Sequence, residues 1–274
     1  MDKYLTTYDF AVSGESFDLY WHEGLDMLST MPRPEDMEPY YASDRYISHT
    51  DARNGLVNTL YQEIKKLSLT RKLNLIDACY KPGARLLDVG AGTGDFVAAA
   101  RKRGWKASGM EPGLAARERA ALKGIELTDG LTALEGKYDV ITLWHVLEHL
   151  PDLDKEIDRL ASYLKDGGTL VLALPNFRSW DARHYGKYWA AYDVPRHLWH
   201  FSRKSIGKLF GRRGFKIART HPLWFDAFYI SLLSEKYQDN RLGLLRGFVN
   251  GCRSNLAALR TGEYSSLIYV LQRA

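Results

Sequence analysis

Apolar positions change their spacing twice along this chain. Residues 1–30 carry short alternating runs, YDFAV and SFDLYW, around the turn signal SGE, which predicts a small β-hairpin. The connector MPRPEDMEPYY is proline-rich and cannot be helical throughout. Over 51–79 the residues Leu56, Val57, Leu60, Ile64, Leu67, Leu73 and Ile76 recur near a helical period, as one long helix or two shorter ones. After Lys81-Pro82-Gly83 the pattern switches to strands separated by helix-length segments. Strands are predicted over 85–89, 105–110, 124–127, 138–144, 169–174, 216–220 and 265–271, with helices over 95–103, 113–122, 153–164 and 204–212. Such alternation predicts an α/β architecture with a doubly wound, seven-stranded, mostly parallel sheet. The expected division is an N-terminal cap over 1–79, a small hairpin plus helices, and the α/β domain over 80–274.

Composition narrows the function classes. The 274 residues are 45% hydrophobic and 26% charged, ample material for a globular core. No apolar run reaches the 18 residues of a transmembrane helix, and the N-terminus lacks a signal-peptide pattern, so a cytoplasmic protein is expected. The two cysteines, Cys79 and Cys252, match no metal or redox spacing. Net charge is +5, but Lys and Arg are scattered, and the groups RKRGWK and GRRGF fall where helices end, where cations are favoured. No clear nucleic-acid signal results. Oligomeric state is not legible.

Three glycines at alternate positions in LLDVGAGTGDF, Gly90, Gly92 and Gly94, fill the turn between the first strand and its helix. A strand-to-helix turn needs one such residue; three allow a ligand to approach the backbone closely. Crevices beyond the carboxyl ends of strands are where open α/β sheets bind ligands. The dinucleotide spacing G-x-G-x-x-G fails from either starting glycine, because Asp95 or Val97 occupies the last position. The phosphate loop G-x-x-x-x-G-K-[ST] is absent, and a nicotinamide oxidoreductase is disfavoured.

The acidic-x-G-x-G-x-G pattern closely resembles the glycine-rich loop of class I S-adenosylmethionine-dependent methyltransferases, including bacterial small-molecule members. The resemblance spans roughly 80–220 plus the final strand, and further segments match in order: ASGMEP, TDG, YDVITLWHVLEHLPD, LKDGGTLVLALPN and RRGFKI. It implies a Rossmann-like methyltransferase fold with an antiparallel last strand. It also implies S-adenosylmethionine as cofactor and S-adenosylhomocysteine as product. The cofactor-binding set would be Asp88, Gly90, Ala91, Gly92, Gly94, Glu111, Pro112, Asp129, Gly130, Trp144 and His145. Glu111 would accept hydrogen bonds from the two ribose hydroxyls, a task suited to a carboxylate. Asp129 would meet the adenine amino group.

Methyl transfer from a sulfonium needs chiefly alignment of nucleophile, methyl carbon and sulfur. A hydroxyl acceptor also calls for a base, and histidine is the usual one. Five of the eight histidines fall between His145 and His200: these two, His149, His184 and His197. His145, His197, His200 and Tyr192 are the candidates for acceptor contact or catalysis. HVLEH resembles the E-x-x-E-H of ubiquinone-pathway and small-RNA methyltransferases that bind a divalent metal. Here His145 replaces the first glutamate, and no metal is expected.

The long aromatic loop over 177–201 carries Trp189, Asp193, Pro195, Arg196, His197, Leu198 and Phe201 in a pattern similar to bacterial methyltransferases, and is expected to wall the acceptor site. Tyr41 or Tyr46 would close over the cofactor. The apolar stretches 222–237 and 243–259 are expected to pack on the sheet or make a subunit contact, with a membrane-surface helix as the alternative. The function expected is methyl transfer to a small-molecule acceptor. The alternatives are a non-catalytic S-adenosylmethionine-binding protein and a metal-assisted O-methyltransferase.

Overall fold

Five strands running one way and one running back form the central sheet of the computed structural model, which describes residues 1–41 and 56–274. The strands are β4 (Arg85–Val89), β5 (Lys106–Met110), β6 (Tyr138–Trp144), β7 (Leu164–Pro175), β9 (Phe215–Pro222) and β10 (Ser266–Arg273). Their order is β5-β4-β6-β7-β10-β9, with β10 antiparallel to both neighbours. The expected seventh strand, over 124–127, is absent from this sheet. Only a single parallel bridge, Met110 to Thr128, survives there. That segment carries Glu126 on an exposed edge and too few apolar residues to anchor a longer ladder.

Helices cover both faces. On one, α5 (Leu153–Tyr163) buries Leu153, Ile157 and Leu160, a spacing that puts all three on one side, and α7 (Arg203–Gly211) adds Ile206, Leu209 and Phe210. Asp152 starts α5 by accepting the Lys155 N–H at 3.2 Å. On the other face, α2 (Leu56–Asp77) buries Leu73 and Ile76 beside Phe96, Val97 and Ala100 of α3 (Asp95–Lys102) and Ala120 of α4 (Leu114–Ala121).

The N-terminal region forms a second, antiparallel sheet rather than a lone hairpin. It comprises β1 (Asp2–Tyr8), β2 (Ser16–His22) and β3 (Met27–Met31), and its fourth strand, β8 (Trp199–His200), comes from the segment after β7. A short helix, α1 (Glu38–Tyr41), follows. Tyr46 lies outside the described residues. The aromatic segment after β7 includes α6 (Trp180–Tyr185), and it packs inward: Tyr185, Trp189 and Tyr192 share a core with Phe17, Leu19 and Leu28 of the N-terminal sheet.

Helices α8 (Asp226–Tyr237) and α9 (Gly243–Thr261) complete the chain before β10. They approach closely because Gly247 and Gly251 face α8; an added Cβ would lie 2.9 Å from the Leu232 and Phe228 Cα atoms respectively.

Candidate functional site

At the carboxyl end of β4 the backbone turns through three left-handed residues, Gly90 (φ 71°), Gly92 (φ 54°) and Gly94 (φ 75°). Each glycine answers a different need. A side chain on Gly90 would strike Val146, and one on Gly94 would lie 2.9 Å from Ile125. Around Gly92 nothing lies within 4 Å of the Cβ position, so its freedom serves space outside the protein's own packing. The Gly90 and Ala91 N–H groups donate to the Met110 carbonyl at 2.8 and 2.9 Å, which folds the loop over the end of β5. Glu111, next after β5, accepts from the Gly92 N–H and the Gly113 N–H at 2.9 Å each. The Met110–Thr128 bridge brings Asp129 and Gly130 to the same rim, where Pro112 and Asp129 are exposed.

Beneath the loop Asp88 is buried and accepts from the Thr142 hydroxyl at 2.6 Å. Burial pushes its carboxyl up to about 7, against the opposing pull of the Thr142 hydrogen bond and Lys72. Trp144 packs edge-on to Phe96, and the Lys72 ammonium sits 4.5 Å over its ring.

His145 stands at the end of β6 with φ 58°, a conformation uncommon for a non-glycine residue and frequent where function holds it in place. Its ring lies between two carboxylates, Nε2 3.2 Å from Asp226 and Nδ1 3.4 Å from Glu148. Burial alone would lower its pKa; Asp226 and Glu148 outweigh that and raise it to about 9. At neutral pH it is an imidazolium with two counter-ions. A cavity of about 450 Å³ opens beside it, walled by His145, His149, Asp193, His197, Asp226 and Tyr229 among others. His149 donates from Nδ1 to the Arg196 carbonyl at 3.0 Å, and His197 donates from Nδ1 to the Ala191 carbonyl at 2.9 Å. In their neutral forms both rings therefore carry the lone pair on Nε2. Burial, with the charge of His197, pushes His149 down to about 4, so it is neutral at physiological pH. Glu148 is buried, its Oε1 facing the His145 ring at 3.4 Å and its Oε2 without a hydrogen-bond partner. Burial raises it, but the hydrogen bond from His145, with the charges of the His197 and His145 rings, holds it below the usual carboxylate range.

A family model described as a methyltransferase domain matches residues 61–220, more than half of the chain. The chain belongs to the methyltransferase-domain family. The chain is 30% identical over 125 residues to the ubiquinone biosynthesis O-methyltransferase of Vibrio parahaemolyticus, a match covering 42% of the chain and 52% of that protein. It is also 30% identical over 155 residues to the biotin biosynthesis bifunctional protein BioCD of Bordetella avium, covering 52% of the chain and 31% of that protein. The chain thus spans about half, or less, of the length of these relatives. In fold it resembles the magnesium protoporphyrin IX methyltransferase of Synechocystis PCC 6803, solved with bound SAH. That likeness has a TM-score of 0.57 at 18% identity and covers 86% of this chain and 97% of the other.

Of the residues singled out in the sequence, the fold gathers Asp88, the three glycines with Ala91, Glu111, Pro112, Asp129 and Gly130 around the first two strand ends. His145 and His197 meet at the cavity. Tyr192 and His200 do not: both are buried behind it, and the His200 Nε2–H donates to the Thr30 hydroxyl at 3.0 Å. That hydroxyl itself donates to the His197 carbonyl at 2.6 Å, so His200 supports the backbone of a cavity residue from the core side. His184 also stands apart, stacked on Trp180 at 4.6 Å. Arg196 is a structural clamp, not a ligand contact, bonding Asp193 at 2.6 Å and Asp9 at 2.8 Å. Of the tyrosines expected to close the site, Tyr41 reaches His149 Nδ1, 3.1 Å from its hydroxyl. Sequence reasoning missed Asp226 and Lys72. Asp226 had a signal, as a lone acid in the apolar run PLWFDAFYISLL; Lys72 had none.

Proposed function

We propose that this methyltransferase moves the methyl group of S-adenosylmethionine to a small acceptor held in the cavity beside His145. One observation carries the reading: the open left-handed Gly92 and the Glu111 carboxylate form a cradle at the strand ends, and His145 links that rim to a cavity of small-molecule size. Gly90, Gly92 and Gly94 admit the cofactor, Glu111 receives its ribose hydroxyls, and Asp129 meets the adenine edge. Asp88, Trp144 and His145 surround the methionine end. Bound there, S-adenosylmethionine would supply an activated methyl group for in-line transfer to the acceptor's lone pair, with the carbon–sulfur pair kept by the departing S-adenosylhomocysteine.

With a hydroxyl acceptor, the proton passes to a neutral imidazole. His149, held neutral, suits that role because its Nδ1–H is engaged with the Arg196 carbonyl and its Nε2 is left to accept, and His197 on the same wall has its Nδ1–H engaged likewise; His145, already protonated, serves as a fixed charge. The 30% identical relative named as an O-methyltransferase supports an oxygen nucleophile on a small molecule.

A second reading rests on Glu148, His149 and His197, whose ligand atoms lie within 4.8 Å of one another. The unpartnered Glu148 Oε2 and the two Nδ1–carbonyl bonds, which orient both Nε2 lone pairs, fit a divalent cation. When bound, the ion would polarise an acceptor oxygen; the protein's part is to hold the three donors in place.

Calorimetric titration with S-adenosylhomocysteine, with Gly92→Arg as control, tests the first reading. Micromolar-range binding lost in the variant supports it, and absence of binding to the folded wild type sinks it. A protein that binds the cofactor but turns over no acceptor in a screen would be the non-catalytic alternative. Titrating Mg²⁺ or Mn²⁺ into wild type and Glu148→Gln tests the second reading, which fails if the two give the same heats.

A further inference from the structure

Helix α9 is turned with its apolar side outward. The residues packed against the body of the protein are small or polar: Gly247, Asn250, Gly251, Ser254 and Ala258. The opposite side presents Leu244 (83% exposed), Leu245 (63%), Phe248 (58%), Leu256 (63%) and Leu259 (62%). At 100° per residue these five fall within a single arc of roughly 120°. Ordinary amphipathic packing would bury that arc and expose the other. Exposed apolar side chains scattered singly need no explanation, but five aligned on one face mark an interaction surface.

Charge decides what that surface meets. Arg246, Arg253 and Arg260 lie in one row along the border of the apolar arc, and residues 243–261 contain no Asp or Glu. All three are exposed, and Arg246 also lies 3.7 Å from the buried Glu235. Two copies docked through this face would set arginine rows together with no carboxylate on the helix to receive them. An anionic bilayer offers both complements, acyl chains for the leucines and phosphates for the guanidinium groups. No helix among the described residues is long and apolar enough to cross a membrane, so the contact lies in the plane of the surface.

We infer that α9 seats this protein on an anionic lipid bilayer, with Leu245, Phe248 and Leu256 entering the interface and Arg253 and Arg260 at the headgroups. The placement has a consequence for the cavity. Helix α8 carries Asp226, Tyr229, Ile230 and Tyr237 on the cavity wall and packs directly on α9, with the Phe228 and Phe248 rings 5.5 Å apart. Tyr229 is both a wall residue and exposed. Seating α9 thus brings one wall of the cavity next to the membrane surface, within reach of an acceptor dissolved in the bilayer.

Sedimentation with phosphatidylcholine vesicles, with and without phosphatidylglycerol, tests the inference and requires no turnover. The full chain should pellet with the anionic vesicles and bind neutral ones at least about tenfold more weakly. Leu245→Glu with Phe248→Glu, and separately Arg253→Glu with Arg260→Glu, should each lower anionic-vesicle binding by about tenfold or more. These side chains are exposed, and circular dichroism of both variants verifies the fold; the two pairs are independent, so loss of one leaves the other as the test. Wild type remaining in the supernatant with anionic vesicles overturns the inference, as does undiminished binding by either folded variant. A concentration-dependent dimer in light scattering, dissociated by Phe248→Glu and indifferent to vesicles, would assign the face to a second copy instead.

Discussion

The glycine loop after β4 and the segment after β7 both stand at the carboxyl end of the sheet, yet they are built on opposite principles. The first keeps its polar groups in reserve. Gly92 faces open space, and Asp88, with one short hydrogen bond from Thr142, is pushed up to about 7 by burial. The second satisfies its polar groups internally. Arg196, buried, joins Asp193 and Asp9, while Asp9 also accepts the Ala11, Val12 and Ser13 N–H groups at 2.9 to 3.2 Å. Trp189 donates to Asp181 at 2.7 Å, and Asp181 also receives the Ser254 and Ser265 hydroxyls at 2.6 Å each. A site that must take up a ligand leaves valences and space open; a wall that must hold its shape closes them.

Replacing Arg196 by Met is the harshest test of that contrast. It strands Asp9 and Asp193 and should destabilise the protein by about 3–5 kcal/mol in chemical denaturation. The glycine loop makes no contact with the clamp, so affinity for S-adenosylhomocysteine in the folded fraction should change by less than about threefold. A parallel loss of affinity would mean that the two regions form one unit.

Asp88 gives the next largest effect, and its sign is opposite to that of a paired carboxylate. Between the ordinary value of 3.8 and about 7 the folded state holds a proton that the unfolded chain has released. Stability of the free protein should therefore fall as pH rises through this window, by on the order of 4 kcal/mol for the single group. Asp88→Asn keeps the Thr142 hydrogen bond and should flatten the pH 4–7 limb of the denaturation profile. An unchanged limb would show that water reaches Asp88. Gly92→Arg comes next: at least about a hundredfold loss of S-adenosylhomocysteine affinity by calorimetry, with a stability cost of only about 1–2 kcal/mol for the left-handed φ.

These differences also explain what the sequence could tell. The glycine loop was legible because its requirement is local: three left-handed positions in five residues have to be written as glycine, and Glu111 follows at the next strand end. Tyr192 and His200 misled because residue type says nothing about which side of a loop faces inward. Tyr192 is drawn into the core by Phe17 and Leu28, which lie 175 and 164 residues earlier in the chain. His200 is fixed by the pairing of β8 with β3, a two-residue strand that no periodicity announces. The seventh strand failed for a similar reason, since edge pairing depends on neighbours more than on local propensity. His149 was passed over because its neutrality comes from burial beside His197, a contact between residues far apart in sequence.

Glu111 offers the finest cut between reserving and satisfying. Its two oxygens already accept one N–H each, from Gly92 and Gly113, and in the proposed function they also receive the ribose hydroxyls. Glu111→Gln replaces one acceptor oxygen by a donor, so one of the two N–H groups faces a donor and the diol loses one acceptor. Affinity for S-adenosylhomocysteine should fall about tenfold. Titration with an analogue lacking both ribose hydroxyls separates the two tasks. If the carboxylate is held mainly for the ligand, wild type and Glu111→Gln should bind that analogue within about twofold of each other, since the interaction that was removed no longer exists in either complex. If the tenfold difference persists with the analogue, Glu111 acts by shaping the loop, and the open region shares the closed construction of the wall opposite.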